Sequence, residues 1–262
     1  MLVRMLRLFG LTFSMSIRRV VAHRTNLVFD ILLATFSLAG AVAAIQLVYT
    51  QTESLAGWSK SAMFVLVGTF QLMTGLRATF IDPNLSWFPD RIRDGRMDLY
   101  LLQPAPSLFL ASLGTHAPLG LIQVGLGLGV VGLGLFERGT MPSAVGFLSW
   151  LVLLAVGVGV TWALGVFLAC LAFWAPRLQL QVLYGAAWEL ARYPVDVYRR
   201  PLRLFLTYLF PMAVITTVPT AALMHEPNLG VVAATAIAGV AIILLAIGAW
   251  TLGVRRYTGA TS

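Results

Sequence analysis

Charge is what this sequence has least of. Acidic and basic residues make up 11% of its 262 residues, against about a quarter in a water-soluble domain, so no soluble surface can be built from them. Cysteine is nearly absent: Cys170 stands alone inside an apolar run, which excludes a disulfide framework and a cysteine-based metal cluster. Lysine is reduced to Lys60, in a short link without the Gly-rich loop of a nucleotide site. The chain therefore cannot hydrolyse ATP by a P-loop mechanism alone. His23, His116 and His225 lie far apart with no His-Glu-x-x-His spacing, so they outline no metalloprotease site. Ser59 beside Lys60 does not make a Ser–Lys nucleophile, because adjacent side chains diverge. No set of His, Ser, Asp or Glu at one membrane depth points to an intramembrane enzyme.

What remains is apolar. Hydrophobic residues make up 59% of the chain and the mean hydropathy is +0.86. Several runs reach the roughly 20 residues an α-helix needs to cross a bilayer. The reading is one all-α integral membrane domain over 1–262, with apolar runs at 26–50, 61–81, 107–136, 145–174 and 229–254. The net charge of +8 does not point to nucleic acid, since the cations sit at the ends of these runs rather than in a basic stripe interleaved with aromatics.

Residues 1–24 mix arginines with apolar residues and lack the order of a signal peptide, which puts cations first and then an unbroken apolar core. Arg4, Arg7, Ser14 and Arg18 share one helical stripe, which predicts an interfacial helix attracted to anionic lipid. Counting Lys and Arg at the run ends places the N-terminal segment, the 82–104 loop, Arg177, Arg255 and Arg256 on one side, and only Lys60 and Arg138 in the first two opposite links. Both termini are then cytoplasmic, in a cell membrane crossed an even number of times. Two segments compete to be the fifth span. The 178–198 segment carries Glu189 and Arg192, expensive in lipid unless paired; the 204–223 segment is interrupted by Pro211 and Pro219, as in a broken or re-entrant helix. Charge favours the second.

Gly127, Gly129 and Gly132 spell Gly-x-Gly-x-x-Gly, but in mid-run, with no preceding strand, the pattern is no dinucleotide site. Gly120, Gly125, Gly129 and Gly132 instead read as small residues for close helix packing, as do Gly157, Gly159 and Gly165. Trp58, Trp87, Trp150, Trp174 and Trp250 fall near run ends, where interfacial anchoring is expected. Arg77 and Asp82, at the end of the second run, are placed to snorkel. His116 reads as bonded to a neighbouring helix. A secondary transporter or channel would call for intramembrane carboxylates or an inverted repeat; Asp30 and Glu189 lie near run ends and no repeat is visible.

The 89–104 stretch is the informative one. Its charged first half is the length of a short helix, Gly95 can stop that helix, and Met97, Leu99, Tyr100, Leu101 and Leu102 form an apolar cluster closed by Pro104. Such an amphipathic element between two spans serves equally as a solvated loop or as a docking element.

Gly95-Arg-Met-Asp-Leu-Tyr-Leu-Leu-Gln-Pro104 resembles the G-x-[LM]-D-x-x-L-L-x-P signature of ABC-2-type permeases. Arg192-Tyr-Pro-Val-Asp-Val-Tyr198, with Leu206-Thr-Tyr-Leu-Phe-Pro211 and Val218-Pro219, resembles a later pattern of the same group. The resemblance covers the chain in length and segment order. It implies six spans, an N-terminal interfacial helix, a coupling segment over 83–104 between spans two and three, and a re-entrant hairpin before the last span. It also implies a partner permease, identical or homologous, and two cytoplasmic ATPases that bind the ATP and Mg, with no cofactor in this chain. Asp90, Arg91, Arg93 and Asp94, then Gly95, Arg96 and Asp98, would form the coupling element in an ATPase groove. Its hairpin would make 178–198 the fifth span, against the charge count, and the two assignments stay open. Neither motif names a cargo, although an apolar pathway would suit a hydrophobic or amphipathic one.

Overall fold

The computed structural model describes residues 2–22, 24–86, 88–175 and 180–257. Among them there is no strand beyond one isolated bridge between Leu55 and Trp58. Helix α1 (Leu2–Ala22) leads into α2 (Arg24–Tyr49) and α3 (Lys60–Phe80), followed by the short helices α4 (Asp82–Leu85), α5 (Phe88–Arg93) and α6 (Asp98–Leu101). Then come α7 (Ser107–Leu113), α8 (Gly120–Arg138), α9 (Ala144–Cys170), α10 (Leu180–Leu190), α11 (Arg200–Leu204), α12 (Val218–Met224) and α13 (Leu229–Arg256). Among the described residues five helices are long and apolar enough to cross a membrane, α2 from Val28, α3, α8, α9 with its continuation to Phe173, and α13, and the bent pair Arg200–Leu209 and Ala213–Met224 makes six if it is one span.

Short polar residues start three of them. Ser59 accepts from the Ala62 N–H at 3.3 Å, Ser143 from Gly146 at 3.1 Å, and Asn228 from Gly230 at 2.9 Å. Each satisfies a backbone donor that the first helical turn leaves over, which is the role the structure gives Ser59. Lys60 pairs with Glu137 at 2.9 Å, joining the same ends of α3 and α8.

Helix α3 is the hub, with 67% of its apolar window buried, against 11% for α2 and α13. It packs on α8 with backbones in contact. A Cβ at Gly120 would lie 2.7 Å from the Gly75 carbonyl, at Gly127 2.6 Å from the Leu72 nitrogen, and at Gly134 2.8 Å from the Ser61 carbonyl. The close-packing glycines thus recur every seventh residue, which keeps them on one helix face. The expected set is corrected accordingly: Gly120 belongs to the contact, whereas Gly125, Gly129 and Gly132 have nothing within 4 Å. In α9 the expectation holds, because a Cβ at Gly157, Gly159 or Gly165 would meet Met73, Ile243 or Leu85.

The 107–136 run is not one helix. It breaks over 114–119, between α7 and α8, where Pro118 has no N–H to give. The buried Asn84 side chain takes over as partner, donating to the Thr115 carbonyl and accepting from the Thr115 N–H, both at 2.8 Å. Over the described residues neither fifth-span candidate is a straight membrane-length helix. Helix α10 has 11 residues, roughly 16 Å at 1.5 Å per residue. Residues 200–224 form a pair bent by 78°, Arg200–Leu209 and Ala213–Met224, with π-helical turns flanking Pro211. Its threonines satisfy backbone left over past the end of α10: Thr216 donates to the Ala191 carbonyl at 2.9 Å, and the Val195 N–H donates to Thr217 at 3.3 Å.

Trp58, Trp150 and Trp250 are buried rather than interfacial. The Trp150 ring N–H donates to Thr69 at 3.3 Å and that of Trp58 to Asp196 at 3.4 Å, so their polar edges found partners inside the protein. Trp174 alone of this set is exposed, and Trp87 lies outside the described residues.

Candidate functional site

At the end of the bundle where α3 stops, the chain turns through the three short helices expected to couple. Arg77 does not reach outward there. It pairs with Asp82 at 2.9 Å and lies over the rings of Tyr184 and Trp188, 4.7 and 4.5 Å from their centroids. This holds α10 against the start of the coupling segment, with the cation stacked between aromatic faces.

Two fully buried side chains anchor the segment itself. Phe88, at the start of α5, and Met97, just before α6, are 0% exposed and share a core with Ile81, Leu85, Cys170 and Trp250. Between them Gly95 adopts φ +70°, a left-handed turn that ends α5 and that glycine takes without a Cβ penalty. Asp90 lies in the first turn of α5, where a carboxylate is favoured, and Asp98 opens α6. Arg91 turns inward to bond the Tyr100 hydroxyl and cover its ring. Asp94 and Arg96 are exposed on the outer side, 3.9 Å apart. Arg93 is on α5, with its side chain outside the described set.

Apolar surface surrounds these charges: Leu99 and Leu102 are 62% and 84% exposed. The arrangement is a stiff element bolted to the bundle on one side and presenting mixed charge and leucine on the other. Burial, with the Asp98 carboxylate close by, pushes the Tyr257 phenol above its ordinary value.

A family model described as ABC-2 family transporter protein matches residues 35–261. The chain belongs to the ABC-2 transporter family. No curated protein and no solved structure matches it. As an ABC-2 family member with several membrane-length helices it is a multi-pass transport permease, and the matched stretch takes in both motifs on which the resemblance rested.

The ABC-2 chain also has a polar feature that sequence reading placed only in part. Helix α1 docks by its inward stripe, with Phe9 and Phe13 stacked on Phe80 at 5.7 and 5.9 Å, while Arg7, Ser14 and Arg18 are exposed. His116, in the 114–119 link, bonds Thr12 of α1 through Nε2 at 3.1 Å. The Thr12 hydroxyl lies 3.0 Å from the Leu8 and Phe9 carbonyls and donates there, so Nε2–H is the donor to Thr12. Nδ1 is left buried without a partner. Burial lowers the His116 pKa below its ordinary 6.5.

The undocked state therefore binds the proton more readily, so His116 favours docking fully above that ordinary value, and this contribution is lost as pH falls from there through the lowered docked value. Amide exchange across 8–16 should be faster at pH ~5.5 than at pH ~7.5, and His116→Phe should remove the difference. Equal exchange at both pH values in the wild type would discard this titration.

Proposed function

We propose that the chain is the membrane-spanning subunit of an ATP-driven ABC exporter. Two such permeases, identical or homologous, would form the pathway, and two cytoplasmic ATPases that bind ATP and Mg would drive it by alternating access. The termini and the coupling segment face the cytoplasm of the cell membrane in this reading. The observation that carries it is the coupling segment: Phe88 and Met97 lock it into the bundle, while Asp94, Arg96, Leu99 and Leu102 are left exposed. A lever needs both properties, rigid attachment to the moving helices and an exposed surface that a partner can grip. Cargo must bind the inward and outward states differently for the cycle to do work.

Co-purification from detergent with candidate cytoplasmic ATPases tests the reading, comparing wild type with Arg93→Glu plus Arg96→Glu. Wild type should retain its ATPase and the double reversal should lose it by about tenfold or more, since unlike-charge contacts become repulsive. Retention after reversal moves the docking site elsewhere. A wild type that captures no ATPase makes a stand-alone transporter the better reading.

A further inference from the structure

Between α2 and the rest of the bundle lies a cavity of about 500 Å³. That is within the range of drug-sized ligand sites. Its lining carries many polar groups: Asp30 and Ser37 of α2, Gln71 and Thr74 of α3, Gln123 of α8 and Glu189 of α10. Leu33, Phe70 and Ile122 supply apolar wall.

The charges do not balance inside it. Glu189 is paired with Arg192 at 2.9 Å, and that arginine also lies over the Phe70 ring, 5.5 Å from its centroid. Asp30 has no ion pair or hydrogen bond among the described residues. One lining arginine therefore faces two carboxylates. The Gln123 Oε1 atom, an acceptor, is buried without a partner. Acceptors are in excess, and carboxylates on spanning helices mark substrate and ion pathways.

A second cavity of about 330 Å³ shares Ser37 and Arg192 with the first and is otherwise lined mainly by apolar residues such as Ala41, Ile45, Met63 and Val67. The two stand end to end along α2, and Arg192, the partner of Glu189, lies where they meet. A polar chamber thus adjoins a more apolar one, with Arg192 in the wall of both.

We propose that the larger cavity binds amphipathic organic cations, with Asp30 as counter-ion, the cavity's apolar wall holding the body of the solute and Glu189–Arg192 standing on the side that faces the second chamber. That such a solute is cargo rests on the exporter reading; the binding itself does not.

Equilibrium binding by the full chain in zwitterionic lipid nanodiscs tests this, with empty nanodiscs subtracted. The probes are tetraphenylphosphonium and tetraphenylborate, nearly equal in size and opposite in charge. The cation should bind saturably and the anion should not. Asp30→Asn should weaken the cation by about tenfold or more, as removal of a counter-ion facing the solute's charge does, and Asp30→Glu should restore most of it. Glu189→Gln, which releases Arg192, should shift preference toward the anion, an effect that misfolding would not produce. Equal binding of both probes, or an unchanged cation affinity in Asp30→Asn, overturns the proposal. Cation binding in a chain that captures no ATPase removes the exporter reading and leaves the cavity standing. ATPase capture without charge preference does the reverse.

Discussion

Gly127→Val should yield no folded protein in detergent, whereas Gly129→Ala, two residues along the same helix, should melt like the wild type. A Cβ at Gly127 would stand 2.6 Å from the Leu72 nitrogen and 2.7 Å from the Gly68 carbonyl. Both are backbone atoms of the buried hub helix, so no flexible side chain can move aside. Overpacking a core costs about 1–3 kcal/mol where side chains can shift; here α3 and α8 must separate along their whole contact, and the cost exceeds that range. The same separation would disturb Gly68, Gly75, Gly120 and Gly134, which meet the facing helix equally closely. At Gly129 an added methyl meets nothing within 4 Å. Monodisperse yield and thermal unfolding read the two variants directly. A Gly127→Val chain with wild-type melting would mean that the helices do not approach as described.

That pair of glycines also shows where sequence reading stops. The presence of close helix packing was legible, because glycine at this density in lipid-length helices has few other uses. Which glycines make the contact was not, since an apolar helix carries no polar face to show which side turns inward. Every-seventh spacing picks out Gly120, Gly127 and Gly134 only once α3 is known to lie opposite.

The same limit applies to the 107–136 run. Hydropathy registers its length but not Asn84, which lies far away in sequence and bonds the backbone where α8 fails to continue. The tryptophans were misread for a related reason: proximity to a run end is the same in sequence whether the ring meets headgroups or, as with Trp150, a threonine on the next helix. By contrast the coupling stretch was legible in some detail. Gly95 has the positive φ expected of a helix stop, and the local pattern of charge followed by leucines maps onto short helices because it needs no knowledge of distant partners. The cavity was the least legible part. Asp30 and Glu189 were visible as charges near run ends, but only the fold brings them to one chamber.

The bond network around Asn84 leads to the other large effect, Asn84→Leu. This side chain is fully buried and donates to the Phe80 carbonyl at 3.0 Å as well as exchanging two bonds with Thr115. It ties the end of α3, and with it the origin of the coupling segment, to the link before α8. Leucine fits the volume but offers no partner, so the N–H and carbonyl of the exposed Thr115 lose their protein bonds at about 0.5–1.5 kcal/mol each. The loss falls locally. The α3–α8 contact lies above it and should persist, so the variant should still purify as a folded bundle. Its 82–104 segment should loosen, and trypsin, which cuts after the arginines there, should cleave it about tenfold faster or more, as expected when local opening costs a few kcal/mol less. Asn84→Asp keeps an acceptor for the Thr115 N–H but loses both donated bonds, so its cleavage rate should fall between the two. Under the exporter reading Asn84→Leu should also retain ATPase binding while uncoupling it, because the docking surface survives and its attachment does not. An unchanged tryptic rate would show that Phe88 and Met97 hold the segment without Asn84, and would move the hinge of the lever from the end of α3 to the buried pair.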